Sequence, residues 1–215
     1  MRRAGFFVVL VLVVGLLGGC TGAGSREGGG TAAGRGGAPL SRIDGKKVLM
    51  IIAPRDFRDE ELTEPRSVVE AQGGKVWVAS TSVGEARGMR GLRVKPDLSL
   101  DRVRVSDYDA VVFVGGSGAS CYWDDETAWA IAREAVARGK VLAAICVAPV
   151  TLAKAGVLRG KRATVWPSEK ARLKEGGAEY TGARVEVDGL IITADGPASA
   201  RAFGEKIVAV LAGSR

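Results

Sequence analysis

The chain has 215 residues, 26% of them charged, and a formal net charge of +7. Its basic residues are interspersed with acids, with no long basic run and no aromatic interleaving; this argues against nucleic-acid binding and leaves a solvated surface with some affinity for anionic headgroups. It has no histidine and three cysteines, Cys20, Cys121 and Cys146, which is not a disulfide framework and with scattered acids makes a poor metal site, and no cofactor is expected.

The first stretch, MRRAGFFVVLVLVVGLLGGC, has a basic start, an apolar run too short for a membrane span and small residues before Cys20. That is the layout of a signal peptide over 1–19. Its ending, LLGGC, resembles a bacterial lipobox, in which the cysteine sulfur is lipidated and becomes the new N-terminus. The expectation is a lipoprotein of the bacterial cell envelope. Lipid on Cys20 would hold it on the non-cytoplasmic side, at the periplasmic or extracellular face. An ordinary signal peptide or an uncleaved anchor is the alternative. Residues 20–43 are Gly-rich without apolar periodicity and read as a flexible linker.

Residues 44–215, about 170 in all, suffice for one domain with a real core. KKVLMIIA (46–53) reads as a buried strand. RDEELTEPRSVVEAQGG (58–74) reads as a helix with acids first, a Gly–Gly stop, and Pro65 as a first-turn break or kink. KVWVAST (75–81) alternates like a strand, and 82–107 yields no clear element. DAVVFVGG (109–116) is a strand ending in glycines. DDETAWAIAREAVARG (124–139) is an amphipathic helix. KVLAAIC (140–146) is a strand and APVTLAKAG a helix. KRATVWP predicts a strand, SEKARLKEGG a helix, ARVEVDGLIITAD a strand pair and ASARAFGEKIVAVLAG a closing helix. This alternation predicts an α/β domain: a doubly wound, mostly parallel sheet with helices on both faces, and ligands at the carboxyl ends of the strands.

Two strand ends carry chemistry: GGSGASCYW (115–123) and ICVAP (145–149). A cysteine at a sharp strand-to-helix turn is where a nucleophile sits, and free N–H groups at a helix start favour a thiolate. Cys146 fits that position, although a lone cysteine in an apolar run is also an ordinary small core residue. Tyr122 and Trp123 follow the glycine loop and are candidate pocket walls, or simply pack against a neighbour. Cys121, in the same loop, is a candidate resolving thiol should Cys146 be oxidised to sulfenic acid, or an unpaired thiol. Asp195 to Pro197 lie at another strand end and are expected to rim the site.

Several segments together, DFRDEEL, YDAVVFVGGSGAS, KVLAAICVAPVTLAKAGVLRGKRATVWPS, GAEYTGARVEVDGLIITADGP and the final helix, resemble the DJ-1/PfpI family of the class I glutamine amidotransferase-like superfamily. The resemblance spans about residues 47 to 211 and implies a flavodoxin-like sheet, a homodimer, and a reactive Cys146 beside a protonated Glu61. It further implies that the backbone N–H groups of Gly116 and Val147 flank a small anion-binding pocket, with Ser117 of the same glycine loop beside it. That arrangement offers a way for Cys146 to work without an imidazole: Glu61 and the amides stabilise the thiolate between them.

The chain also departs from that pattern. The protease-like branch has histidine where Val147 stands, and the human-type branch has one where Trp166 stands. A Cys–His pair for peptide hydrolysis is therefore impossible within the chain. Asp195 replaces a residue that is often basic in the family. The sequence reading is a cofactor-free domain whose Cys146 attacks small electrophiles, in a glyoxalase-like or deglycase-like reaction. The alternative is a non-catalytic redox-sensing or stress-response domain in which an oxidant modifies Cys146.

Overall fold

A computed structural model describes residues 41–213; the expected signal peptide, Cys20 and most of the expected linker lie outside them. Ile43 is already 3% exposed, and its N–H donates to Gln72 O at 2.8 Å, so the packed chain has begun by that residue.

Among the described residues are twelve strands and five α-helices. In chain order they are β1 (Lys47–Ile51), β2 (Arg55–Phe57), α1 (Asp59–Ala71), β3 (Lys75–Ser80), β4 (Ala86–Gly88), β5 (Arg93–Val94), β6 (Leu98–Ser99), β7 (Ala110–Phe113) and α2 (Glu126–Ala137). Then come β8 (Val141–Ile145), α3 (Pro149–Lys154), β9 (Arg162–Ala163), α4 (Lys170–Glu175), β10 (Glu179–Tyr180), β11 (Val185–Asp188), β12 (Ile191–Ala194) and α5 (Ala200–Leu211).

The main sheet has seven strands in the order β11-β12-β8-β7-β1-β3-β6, all parallel neighbours except the β11–β12 hairpin. Every residue of β7 and β8 is buried. Successive strand residues point to opposite faces, so this pair is covered on both. Helices α1 and α5 pack on each other, and α2 packs on α3, β7 and β8. This is a flavodoxin-like architecture. Register aligns Ile51 with Phe113, Phe113 with Ala144, and Ile145 with Ala194. The loops after β1, β7, β8 and β12 therefore leave the sheet at one edge.

Two local expectations are corrected. Pro65 does not break the first turn, because α1 runs through it as one helix and Pro65 packs against Gly204 of α5. KRATVWP forms only the two-residue β9, in a side pair with β10, because its continuation is held by other groups. Thr164 N–H donates to the Thr193 hydroxyl at 2.9 Å, and Trp166 N–H to Cys146 O at 2.8 Å. The unassigned stretch 82–107 contains β4, β5 and β6, strands too short to show a period of two.

Candidate active site

Strand β8 is a run of small and aliphatic residues that ends at Ile145, and the chain then turns sharply. Cys146 takes φ = +63° there, a left-handed conformation that side-chain-bearing residues rarely adopt. The turn is held from both sides: Cys146 N–H donates to Ala194 O at 2.9 Å, and its carbonyl accepts from Trp166. Neighbouring contacts thus fix the strained cysteine at the sheet edge, as at the nucleophile elbows of other folds.

Glu61 enters from the first turn of α1. It is wholly buried, and neither carboxyl oxygen has a partner of good hydrogen-bond geometry. The groups facing it are the Cys146 thiol and the Gly115 amide. Gly115 makes the approach possible. A β-carbon there would collide with Glu61 Oε2 and would sit 2.6 Å from Cys146 Cβ. Burial raises the Glu61 carboxyl to about 8, against weaker lowering by Cys146 and by the Arg58 charge, so it is neutral at pH 7.

Burial also pushes the Cys146 thiol up, to about 12, and an ionised Glu61 adds to that rise. The N–H groups of Gly116 and Val147 oppose it. The low thiol pKa expected from a helix start is thus not seen; α3 begins only at Pro149, and desolvation outweighs the two amides. A neutral Glu61 changes the balance, because it adds no charge and its O–H can donate to sulfur. Glu61 and Cys146 therefore titrate as one pair, losing a first proton near 8 and holding the second to about 12.

Above the pair is a cavity of about 220 Å³, lined by Arg58, Met89, Gly116, Ser117, Cys146, Val147, Trp166 and Pro197. Six of the residues expected from sequence thus meet here, with Glu61 behind them. Three others do not line it. Tyr122 lies in the core, where its hydroxyl donates to Ile52 O at 2.8 Å, a partner that a buried phenol needs. Trp123 stands behind Val147: its indole N–H donates to Val147 O at 3.2 Å, and the Arg172 guanidinium lies 5.0 Å over its ring. Asp195 turns away, accepting from the Ser199 hydroxyl. Cys121 is exposed and outside the cavity lining, and both it and Cys146 are free.

Two lining residues were missed from sequence. Arg58 precedes α1, and its N–H donates to Gly115 O at 2.9 Å, which fixes it beside the end of β7. It is the extended residue that enters α1, three before Glu61, and that closeness in sequence is the signal that could have found it. Met89 lies between β4 and β5. Asp59 holds that hairpin by accepting from Arg90 N–H at 2.9 Å and Leu92 N–H at 2.8 Å.

A flavodoxin-like sheet, a strained cysteine after a central strand and a buried carboxyl facing it define a protein with a cysteine-centred site. A model of the DJ-1/PfpI family matches residues 46–210, and the chain belongs to that family. It is 47% identical over 165 residues to an uncharacterised protein of Methanocaldococcus jannaschii, covering 75% of this chain and 80% of that one. It is 36% identical over 165 residues to a deglycase of Pyrococcus horikoshii, covering 77% of this chain and 99% of that protein. Among solved structures, a ThiJ/PfpI domain protein from Brachyspira murdochii superposes with a TM-score of 0.77 at 32% identity, covering 80% of this chain and 98% of that one.

Proposed function

We propose that this chain is a cofactor-free enzyme whose Cys146 acts on small carbonyl electrophiles, in a glyoxalase-like or deglycase-like reaction. The observation that carries this reading is the Cys146–Glu61 pair: a strained thiol lining a small cavity, with a neutral carboxyl and two amides facing it. Similarity to the Pyrococcus deglycase supports the reaction class. A homodimer, implied by the family resemblance, belongs to the same reading. So does a place in the bacterial cell envelope through lipid on Cys20, which rests on the N-terminal sequence alone. Labelling with a radioactive fatty acid, lost in Cys20→Ala, tests the anchor.

On an α-oxoaldehyde, with the pair singly protonated, ionised Glu61 takes the thiol proton as the Cys146 sulfur adds to the aldehyde carbon; a C–S bond forms and the carbonyl π pair moves onto oxygen. That oxygen takes a proton from Glu61 while the Gly116 and Val147 amides hold its charge. Ionised Glu61 then moves the former aldehyde hydrogen, as a proton, to the neighbouring carbon, and the hydroxyl proton of the first carbon passes to the oxygen of the second. The first carbon is thereby oxidised to a thioester and the second reduced to a carbinol. Water hydrolyses the thioester to a 2-hydroxy acid and frees the thiol. Peptide hydrolysis has no place in this scheme, since the chain has no histidine to serve as a base.

One observation favours a second reading, a redox sensor. The same two amides would hold an oxygen of a sulfinate on Cys146. Counting methylglyoxal consumed per chain separates the two. The enzyme consumes many equivalents and loses this in Cys146→Ser and Glu61→Ala; consumption that stops at one equivalent overturns the enzyme and leaves the sensor.

A further inference from the structure

We infer that Arg58 selects small electrophiles that carry a carboxylate, so that the preferred substrates are anionic α-oxoaldehydes rather than neutral ones. The inference rests on the reading of Cys146 as a nucleophile and narrows its substrate class.

Among the described residues lining the cavity, Arg58 alone carries a formal charge. The remaining walls are largely apolar: Met89, Val147, Trp166 and Pro197. The cavity of about 220 Å³ falls below the ~300–1,000 Å³ of drug-sized sites and suits a small metabolite.

The carboxylate that pairs with Arg58 is not its own alone. Arg58 Nε donates to Glu60 Oε2 at 2.9 Å and its Nη2 to Glu60 Oε1 at 3.5 Å, and that second oxygen is shared with Arg90 Nε at 2.8 Å. One carboxylate is thus shared between two guanidiniums, while the Asp59 carboxylate is engaged by the Arg90 and Leu92 amides. Glu61, whose carboxyl the Arg58 charge also reaches, is neutral at pH 7 for the reason given above. The Arg58 side chain is 24% exposed, so water screens it only in part. The Arg58 backbone bond to Gly115 fixes the base of the side chain at the same peptide that separates Glu61 from Cys146. Glu60 takes the Nε–Nη2 edge of the Arg58 guanidinium, which leaves Nη1 to donate to a substrate carboxylate. A substrate with an electrophilic carbon at one end and a carboxylate at the other would engage Cys146 and Arg58 together.

The test uses two reagents that differ in charge and share one reaction. Iodoacetate and iodoacetamide both alkylate a thiolate: a C–S bond forms, the C–I bond breaks and iodide leaves with the electron pair. Their rates at Cys146 are read by mass spectrometry on the full chain, with Cys121 as internal reference. The iodoacetate-to-iodoacetamide ratio should be at least tenfold higher at Cys146 than at Cys121. It should fall about tenfold in Arg58→Met and largely survive in Arg58→Lys. With 4,5-dioxopentanoate, an α-oxoaldehyde ending in a carboxylate, Arg58→Met should lower kcat/KM chiefly through KM and leave methylglyoxal nearly unchanged. A ratio at Cys146 that Arg58→Met does not move overturns the inference, whether or not methylglyoxal turns over. A ratio that depends on Arg58 without turnover upholds anion selection and overturns the enzymatic reading. No labelling of folded Cys146 by either reagent overturns both.

Discussion

The Glu61 carboxyl fills the space that a β-carbon on Gly115 would need. The acid can face the thiol only because residue 115 has no side chain. Gly115→Ala should therefore force Glu61 and the Cys146 turn apart. Overpacking of this kind costs roughly 1–3 kcal/mol. Urea unfolding should show that loss, together with slower alkylation of Cys146. Unchanged stability would mean that the carboxyl moves aside freely.

The burial of Glu61 makes a pH prediction. Its ordinary pKa of 4.5 rises to about 8 in the fold. Below 4.5 both folded and unfolded chains hold this proton. Between 4.5 and 8 the unfolded chain has released it and the folded chain has not, so stability falls as pH rises through that window. The full effect is on the order of 5 kcal/mol. Glu61→Gln keeps the shape and removes the titration. Its stability relative to the parent should grow steadily from pH 4.5 to 8, and parallel curves would contradict the buried neutral acid.

The turn at Cys146 predicts a reversed substitution order. At most buried positions glycine is less stable than alanine by roughly 0.5–1 kcal/mol. At φ = +63° a β-carbon is strained and glycine is not. Cys146→Gly should be more stable than Cys146→Ala by about 1 kcal/mol in thermal or urea unfolding. The usual order would show that the turn relaxes once sulfur is gone.

Much of this site was legible in the sequence because its signals are local. VLAAI followed at once by Cys146 marks a strand end, and GGSG marks a second one beside it. Glu61 came through the family resemblance, since a helix-start acid by itself reads as solvated. What stayed hidden is held by distant contacts. Arg58 is fixed by a carbonyl at Gly115, and Met89 by the Asp59 carboxylate reaching across to the β4–β5 hairpin. Tyr122 read as a pocket wall because its loop is polar and glycine-rich, yet its ring enters the core once Ile52 O accepts its hydroxyl. The burial of the thiol is hidden from the sequence for a similar reason. The amides near sulfur are a local feature, whereas the burial that outweighs them comes from the whole sheet edge.

The central claim is that Cys146 and Glu61 share a proton and so replace a histidine. The pH dependence of Cys146 alkylation by iodoacetamide tests it most directly, on the full chain and on Glu61→Gln, with Cys121 as internal reference. The account predicts that reactivity in the parent rises through an inflection near 8, where Glu61 ionises and can take the thiol proton, and that this step is absent in Glu61→Gln. The same single profile in both proteins would contradict it, showing a thiol that titrates independently of Glu61.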